Sequence, residues 1–176
     1  MAEFLWIFWS FSLLGWVLER LFAAVTRSPR RRRRCLLLLP LCPVYGLGMA
    51  AVLALPPSLR SGWPLYLWGG LTATSVEYIY HWWGETFLGV SFWDYTGVFG
   101  NFRGRVCLPF SLAWGLLLFP AVYLVTPPVV ALADRVPIGV TWWLLLAFTA
   151  DAVCSLRFLA VTHDLEACLL YTSDAA

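Results

Sequence analysis

The residues best placed to do chemistry are carboxylates that stand inside long apolar stretches. They are Glu19, Glu77 and Asp151. A charged side chain inside a bilayer costs at least about 2.5–3.5 kcal/mol on insertion scales, so it normally faces a bundle interior and finds a partner there. Such acids can bind a cation or a solute, or can transfer protons. We therefore take these three as candidate substrate-binding residues.

A second polar group lies in the aromatic, glycine-punctuated stretch 92–108. It contains Asp94, Asn101 and Arg105 in a chain that is otherwise poor in such residues. Acids at similar depth repel one another unless a cation lies between them, and Arg105 could supply that charge. Neutral hydrogen bonds could come from Asn101 and from Tyr45. The sequence thus predicts one polar cavity formed by Glu19, Tyr45, Glu77, Asp94, Asn101, Arg105 and Asp151.

Composition indicates the environment in which these residues act. The chain has 176 residues, which is enough for one domain, and it is 61% hydrophobic and only 12% charged. Soluble proteins carry roughly a quarter charged residues, so this chain cannot present a wettable surface. Lipid forces backbone polar groups to be satisfied internally. We therefore expect an all-α fold, an integral membrane helical bundle.

Apolar segments long enough to cross a bilayer as helices divide the chain. We predict a transmembrane domain at 1–162 and a short tail at 163–176 that is truncated or non-native at its end. Pro40 and Pro43 cannot donate backbone hydrogen bonds, so they should break the second helix. Pro127 and Pro128 are expected to end the fourth. The five predicted spans are about 4–25, 36–55, 63–83, 106–125 and 140–159.

An arginine run orients the predicted helices. Six of the twelve basic residues lie between Arg27 and Arg34, between the first two apolar segments. Such a run favours a cytoplasmic loop rather than a nucleic-acid partner. Alternation then places the N-terminus outside and the C-terminus in the cytoplasm. The three intramembrane acids would lie roughly 9–12 Å from the cytoplasmic helix ends, so their cavity should open towards the cytoplasm.

Metal binding and structural ion pairing are the plain alternatives for these residues. Glu77, His81 and Glu85 share one helix face at spacings of four, but a metal site would need a fourth ligand that the sequence does not show. We therefore expect a packed histidine, no metal and no cofactor. Glu19 and Glu77 could instead form structural ion pairs with the arginines at 20, 103 or 105.

Several motifs, in this order along the chain, resemble those of the CmpB-type ABC transporter permease family of small bacterial multi-pass membrane proteins. The resemblance covers about Trp6 to Arg157. The motifs are GWVLE at Gly15–Glu19, CPVYGLG at Cys42–Gly48, EY at Glu77–Tyr78, WDYT at Trp93–Thr96 and NFRGRVCL at Asn101–Leu108. The resemblance implies a permease-like subunit in the bacterial inner membrane.

Partners and alternative functions follow from what the chain contains. It has no GxxxxGK[ST] motif, so a permease of this kind would need a separate ATPase subunit, or would act as a homo-oligomer. The first alternative is an intramembrane enzyme acting on a lipid or prenyl-phosphate substrate, with Arg105 holding the phosphate. The second is a non-catalytic scaffold whose charges lock the bundle.

Overall fold

The computed structural model describes residues 1–26 and 39–164, and within these residues the chain forms five helices and one pair of very short strands. The predicted all-α fold is therefore confirmed. The arginine run and the end of the predicted tail lie outside the described residues. The helices are α1 (Ala2–Val25), α2 (Pro43–Leu53), α3 (62–88), α4 (Leu108–Arg135) and α5 (Ile138–Thr162), and the strands are β1 (Asn101–Phe102) and β2 (Val106–Cys107).

Helix length and hydropathy fit a membrane protein. Among the described residues, α1, α4 and α5 are each long and apolar enough to cross a bilayer, with mean hydropathies of 1.3, 2.1 and 1.8. The helix α3 alternates α-helical and π-helical turns along its length. The helix α2 is much shorter than a bilayer is thick, since its 11 residues rise only about 16 Å.

The predicted break in the second helix is confirmed. Helix α2 begins only at Pro43, at a first-turn position where the missing N–H costs nothing. Residues 39–42, directly before it, are not helical, and two of their backbone N–H groups donate to other helices. The N–H of Cys42 donates to the carbonyl of Ser12 at 2.9 Å, and that of Leu39 donates to Asp151 Oδ2 at 3.1 Å. Irregular backbone at membrane depth requires such partners.

The expected end of the fourth helix at Pro127 and Pro128 is wrong, because α4 continues to Arg135. A π-helical turn precedes the prolines, and in it the N–H of Thr126 bonds the carbonyl of Ala121, five residues back. This shift starts a new α-helical segment with both prolines in its first turn. Proline is tolerated there because those N–H groups have no partner within the helix.

Glycines allow two pairs of helices to cross closely. Helix α1 meets α2 at Gly15, where an added Cβ would overlap the ring of Tyr45. Helix α3 meets α4 at Gly70, where a Cβ would lie 3.3 Å from the Cα of Gly115. Small residues at crossings are a common basis of packing between membrane helices. These crossings bring Tyr45 beside α1 and fix α4 against α3.

Two apolar clusters hold the bundle. One joins α5 to the end of α3 and the following loop, through Leu159, Leu88, Val90 and Phe92. The other joins α1, α2, α3 and α4, and its buried members are Ile7, Phe11, Met49, Val52, Leu65 and Leu118. Members of both clusters contribute to the wall of a cavity that lies between them.

Candidate functional site

A cavity of about 550 Å³ lies among α1, α2, α3, α4 and the loop that follows α3. Its wall is mostly aliphatic and aromatic. Three of the predicted site residues, Glu19, Tyr45 and Glu77, also line it. The volume falls within the range of roughly 300–1,000 Å³ that is typical of small-molecule pockets.

Glu77 is held at this cavity by donors from two other parts of the chain. Its side chain projects from α3 and the residue is only 5% exposed. Oε1 accepts a hydrogen bond of 2.9 Å from the hydroxyl of Tyr95 in the loop, and Oε2 accepts one of 2.9 Å from the indole N–H of Trp114 on α4. These hydrogen bonds offset part of the free-energy cost of burying a carboxylate.

Glu19 reaches the same cavity from α1. Its Oε1 accepts a hydrogen bond of 2.6 Å from the hydroxyl of Tyr45, at the start of α2. The ring of Tyr45 packs edge-on against Trp114, with centroids 5.2 Å apart. Because Trp114 also bonds Glu77, the two carboxylates are joined by a continuous chain of contacts through Tyr45 and Trp114. We call these four residues the carboxylate–aromatic network.

Arg105 lies outside the cavity, in a separate group of polar contacts. Its Nε donates to Glu85 Oε2 at 2.7 Å, and its NH1 donates to the hydroxyl of Tyr78 at 2.8 Å. The other oxygen of Glu85 lies 3.0 Å from Nε2 of His81, which is packed and only 1% exposed. The indole N–H of Trp93 donates to the backbone carbonyl of Arg105 at 2.7 Å. We call this group the Arg105 cluster.

Electrostatics fix the charge state of Arg105. Desolvation by itself would lower the pKa of the guanidinium, but hydrogen bonds to Glu85 and Tyr78 outweigh it, so the pKa is raised above its ordinary value. The guanidinium therefore stays charged and is matched by the Glu85 carboxylate. The sequence suggested Glu19 or Glu77 as the ion-pair partner of Arg105, but in the structure Arg105 pairs with Glu85, a residue from the last turns of α3.

Asp94 and Asn101 organise the loop instead of lining the cavity, and both are exposed. Asp94 Oδ1 accepts a hydrogen bond of 2.7 Å from the N–H of Thr96. The side-chain amide of Asn101 donates to the carbonyl of Val98 at 3.0 Å and accepts from the N–H of Gly104 at 3.4 Å. These bonds shape the approach to the β1–β2 hairpin, in which residue 102 pairs with 106.

Asp151 also lies away from the cavity, at the non-helical backbone before α2, where it accepts the Leu39 N–H. Of the seven residues that the sequence predicts around one cavity, only Glu19, Tyr45 and Glu77 line the cavity in the structure. The structure places Asp94, Asn101, Arg105 and Asp151 elsewhere. That any of these residues binds a solute stays a prediction.

Sequence reasoning did not identify the partners of Glu77 and Arg105. Tyr95 and Trp114 hold Glu77, while Tyr78 and Glu85 hold Arg105. The sequence did place Glu85 on the same helix face as Glu77, but as a possible metal ligand and not as the partner of Arg105. Nothing in the apolar run around Trp114 marks it as a partner of an acid.

No group of three or more histidine, cysteine, aspartate or glutamate side chains in the described part of the chain is arranged to hold a metal ion. The one cluster that mixes histidine and glutamate is the Arg105 cluster. There the guanidinium already occupies the position that a cation would take beside Glu85.

Comparison with known proteins identifies the family. No curated protein and no solved structure matches the chain. A family model, ABC_trans_CmpB, described as "Putative ABC-transporter type IV", matches residues 6–156. The matched region contains all four residues of the carboxylate–aromatic network and the whole Arg105 cluster, and it confirms the resemblance seen in the sequence motifs. The chain therefore belongs to the ABC_trans_CmpB family, whose description is "Putative ABC-transporter type IV".

Proposed function

We propose that this protein is a permease-like membrane subunit of a transport system, and that the cavity bearing Glu19 and Glu77 is its solute-binding site. Family membership and the apolar helices support the transport setting. In this proposal a separate ATPase subunit supplies the energy, and the chain acts with that subunit or as a homo-oligomer.

The observation that carries the proposal is the carboxylate–aromatic network on the wall of a ligand-sized cavity. Acids within membrane helices cost several kcal/mol, so they commonly mark substrate or ion pathways. A bundle that needed only packing could fill this space with apolar side chains. A cavity with oriented carboxylates instead offers a site where a polar group can bind inside the bundle.

The broken second helix gives further support. Tyr45, which bonds Glu19, lies in the first turn of α2, immediately after the non-helical residues. Transporter sites are often built beside discontinuous helices, because these place polar groups deep in the membrane. The break in the second helix therefore lies directly beside Tyr45, one of the residues of the proposed binding site.

The orientation in this proposal follows from the arginine run. The protein lies in a bacterial inner membrane and crosses it five times, with its N-terminus outside and its C-terminus in the cytoplasm. Cysteine labelling in intact cells tests this topology, using Ala2→Cys and Ser28→Cys in a background without native cysteines. An impermeant reagent should label the first variant only, and labelling of only the second would reverse the topology.

Copurification tests the transport role. Tagged protein isolated from its native membranes after mild crosslinking should carry an ATPase subunit at a constant ratio. Glu77→Gln should keep that subunit but lose solute-stimulated ATP hydrolysis, whereas Glu3→Gln, at an exposed site on α1, should keep both. Repeated isolation without any ATPase subunit would contradict the proposal. If Glu77→Gln unfolds the protein, the acids are structural and the scaffold reading is right.

The enzyme alternative has less support. It required Arg105 to bind a phosphate, but this guanidinium is engaged by Glu85 and Tyr78 outside the cavity. The ionisable side chains that line the cavity among the described residues include two carboxylates and no arginine, lysine or histidine. The described lining therefore supplies no cationic side chain of the kind that binds a phosphate.

A further inference from the structure

We infer that the β1–β2 hairpin and the turn before it anchor the protein in the lipid interface, and that the partner of this surface is the bilayer at the level where headgroups meet hydrocarbon. The exposed residues of this surface are Phe99, Asn101, Phe102 and Arg103. We call them the hairpin surface. They lie outside the cavity wall, so their role is separate from that of the proposed binding site.

Two phenylalanine rings of the hairpin surface lie open on the exterior of the protein. Phe99 is 78% exposed and Phe102 is 58% exposed. Strand pairing fixes the backbone of Phe102, and beside Phe99 the carbonyl of Gly100 accepts a hydrogen bond of 3.2 Å from the N–H of Leu108. A defined turn thus presents both rings, and burying them in apolar surroundings is favourable.

On one side the hairpin surface continues the lipid-facing side of α4. Leu108, Leu112 and Leu116 are exposed and lie at spacings of four, so they form one stripe along the helix. Helix α4 is long and apolar enough to cross a bilayer, so this stripe faces hydrocarbon. Leu108 is the first residue of α4 and bonds Gly100, which places the hairpin surface directly at the end of the stripe.

On the other side the hairpin surface contacts α3. The ring of Phe102 packs on that of Tyr78, with centroids 5.7 Å apart. On the same face of α3 as Tyr78, exposed apolar side chains form a second stripe, which includes Leu71, Ile79 and Trp82. The two exposed stripes therefore meet at the hairpin. A protein subunit that covered the hairpin surface would also have to cover the ends of both stripes.

The hairpin surface lies at the depth of a membrane interface. It is level with the first turn of α4, and the end of a spanning helix lies near the edge of the hydrocarbon, where aromatic side chains are enriched. Helix α3 continues from Tyr78 to residue 88, a further rise of about 15 Å, and this outer part carries Glu85. Arg103 suits the same level, because its charged end can reach headgroups while its stem stays in apolar surroundings.

An anchored hairpin would also hold one wall of the cavity in place. The N–H of Tyr95 donates to the carbonyl of Gly104 at 2.8 Å, and the indole N–H of Trp93 donates to the carbonyl of Arg105 at 2.7 Å. Both Trp93 and Tyr95 line the cavity. The hairpin therefore links the lipid interface to the segment that forms this wall.

Spin labelling in bilayers tests the depth of the hairpin surface. Phe99→Cys and Phe102→Cys, each in the full chain without native cysteines, are labelled with a nitroxide and placed in nanodiscs of palmitoyl-oleoyl phosphatidylcholine. Leu116→Cys on the α4 stripe is the lipid control, and Asp134→Cys, exposed near the opposite end of α4, is the water control. We expect oxygen to relax the labels at 99 and 102 more strongly than a water-soluble nickel chelate does, as at 116, with the reverse order at 134.

Hydrogen exchange in the same nanodiscs tests the link to the cavity wall. Phe99→Ser should speed amide exchange in residues 92–107 at least about threefold, because the hairpin loses an apolar side chain buried in lipid. Phe99→Leu keeps an apolar side chain and should leave the exchange close to that of the original protein. Trp143→Ser removes an equally exposed ring from α5 and should not change it either. Exchange in α1 monitors overall folding in each variant.

Three outcomes would contradict the inference. Labels at 99 and 102 that meet the nickel chelate as readily as the label at 134 would overturn the lipid anchor. If those labels become protected only when the ATPase subunit is added, the surface binds protein and not lipid. Unchanged exchange in Phe99→Ser would refute the link to the cavity wall. The copurification experiment tests the transport role independently, because none of these measurements depends on Glu77.

Discussion

Two glutamates on the same helix have opposite surroundings. Glu77 lies at the cavity, is 5% exposed, and accepts hydrogen bonds from the neutral donors Tyr95 and Trp114. Glu85 lies two turns further along α3, where its side chain is 36% exposed and bonds the Arg105 guanidinium. The more exposed acid thus bonds a guanidinium, and the hydrogen bonds that the deeply buried acid accepts include those from an aromatic hydroxyl and an indole.

The difference indicates different roles for the two acids. An ion pair between fixed side chains neutralises both charges and ties α3 to the hairpin loop, which is a structural result. Hydrogen bonds from Tyr95 and Trp114 orient the Glu77 carboxylate at the wall of the cavity, which suits the binding of a polar group of a solute. Because both acids share one helix, matched substitutions at the two positions compare these roles directly.

The largest expected effect separates the two positions by function. Glu77→Gln should abolish solute-stimulated ATP hydrolysis by the copurified assembly, because the proposed solute loses a carboxylate at the cavity wall. Glu85→Gln should leave that activity unchanged but lower the melting temperature, because Arg105 loses its counter-charge. ATPase assays and thermal unfolding of both variants in the same detergent measure these two effects. Equal loss of activity in both variants would show that the two acids do not have different roles.

The next effect concerns the ion pair itself. Arg105→Met should lower the melting temperature more than Arg103→Met, because Arg103 is exposed in the same hairpin and forms no ion pair that the structure describes. Adding Glu85→Gln to Arg105→Met should recover part of the loss, since removing both charges avoids an unmatched carboxylate. A double-mutant cycle of melting temperatures tests this. Strict additivity would show that the pair does not couple.

The sequence predicts the elements of the fold better than their ends. Long apolar segments between polar stretches locate α1, α3, α4 and α5, because bilayer thickness sets a minimum helix length. The prolines at 40 and 43 correctly predict the break before α2. The prolines at 127 and 128 mislead, since a π-helical turn moves them into a first-turn position that residue type alone does not reveal.

The candidate site is only partly predictable for a different reason. Depth along each helix brings Glu19 and Glu77 to one level, and the structure places both at the cavity. Depth does not say which way a helix faces, and rotation about the helix axis is set by packing against its neighbours. For this reason Asp151, placed at the same level by counting, bonds the backbone of Leu39 instead. Whether a side chain such as Trp114 can reach Glu77 also depends on how its helix is rotated about its axis.

A smaller effect is expected for the donors that orient Glu77. Tyr95→Phe removes one hydrogen bond to a buried carboxylate, and such bonds contribute about 1.5–3 kcal/mol to the free energy of unfolding. Tyr123→Phe is the matched control, because its hydroxyl bonds the Arg60 carbonyl at an exposed site, and changes there usually stay within about 0.5 kcal/mol. Unfolding titrations in mixed micelles measure both. A Tyr95→Phe protein as stable as the control would show that this donor is dispensable.

The smallest effect is expected at Asp151, where the comparison is between charge and shape. If this acid serves only to accept the Leu39 N–H, its charge is unnecessary. The amide oxygen in Asp151→Asn can accept the same hydrogen bond, so this substitution should change the free energy of unfolding by less than about 0.5 kcal/mol. Asp151→Leu should cost about 1–3 kcal/mol, since a backbone N–H is then left without a partner in lipid. Neither change should alter solute-stimulated ATP hydrolysis, because Asp151 lies outside the cavity wall. A loss of that activity in Asp151→Asn with stability preserved would instead return this residue to the site, and it would mean that the acids of α1, α3 and α5 act together.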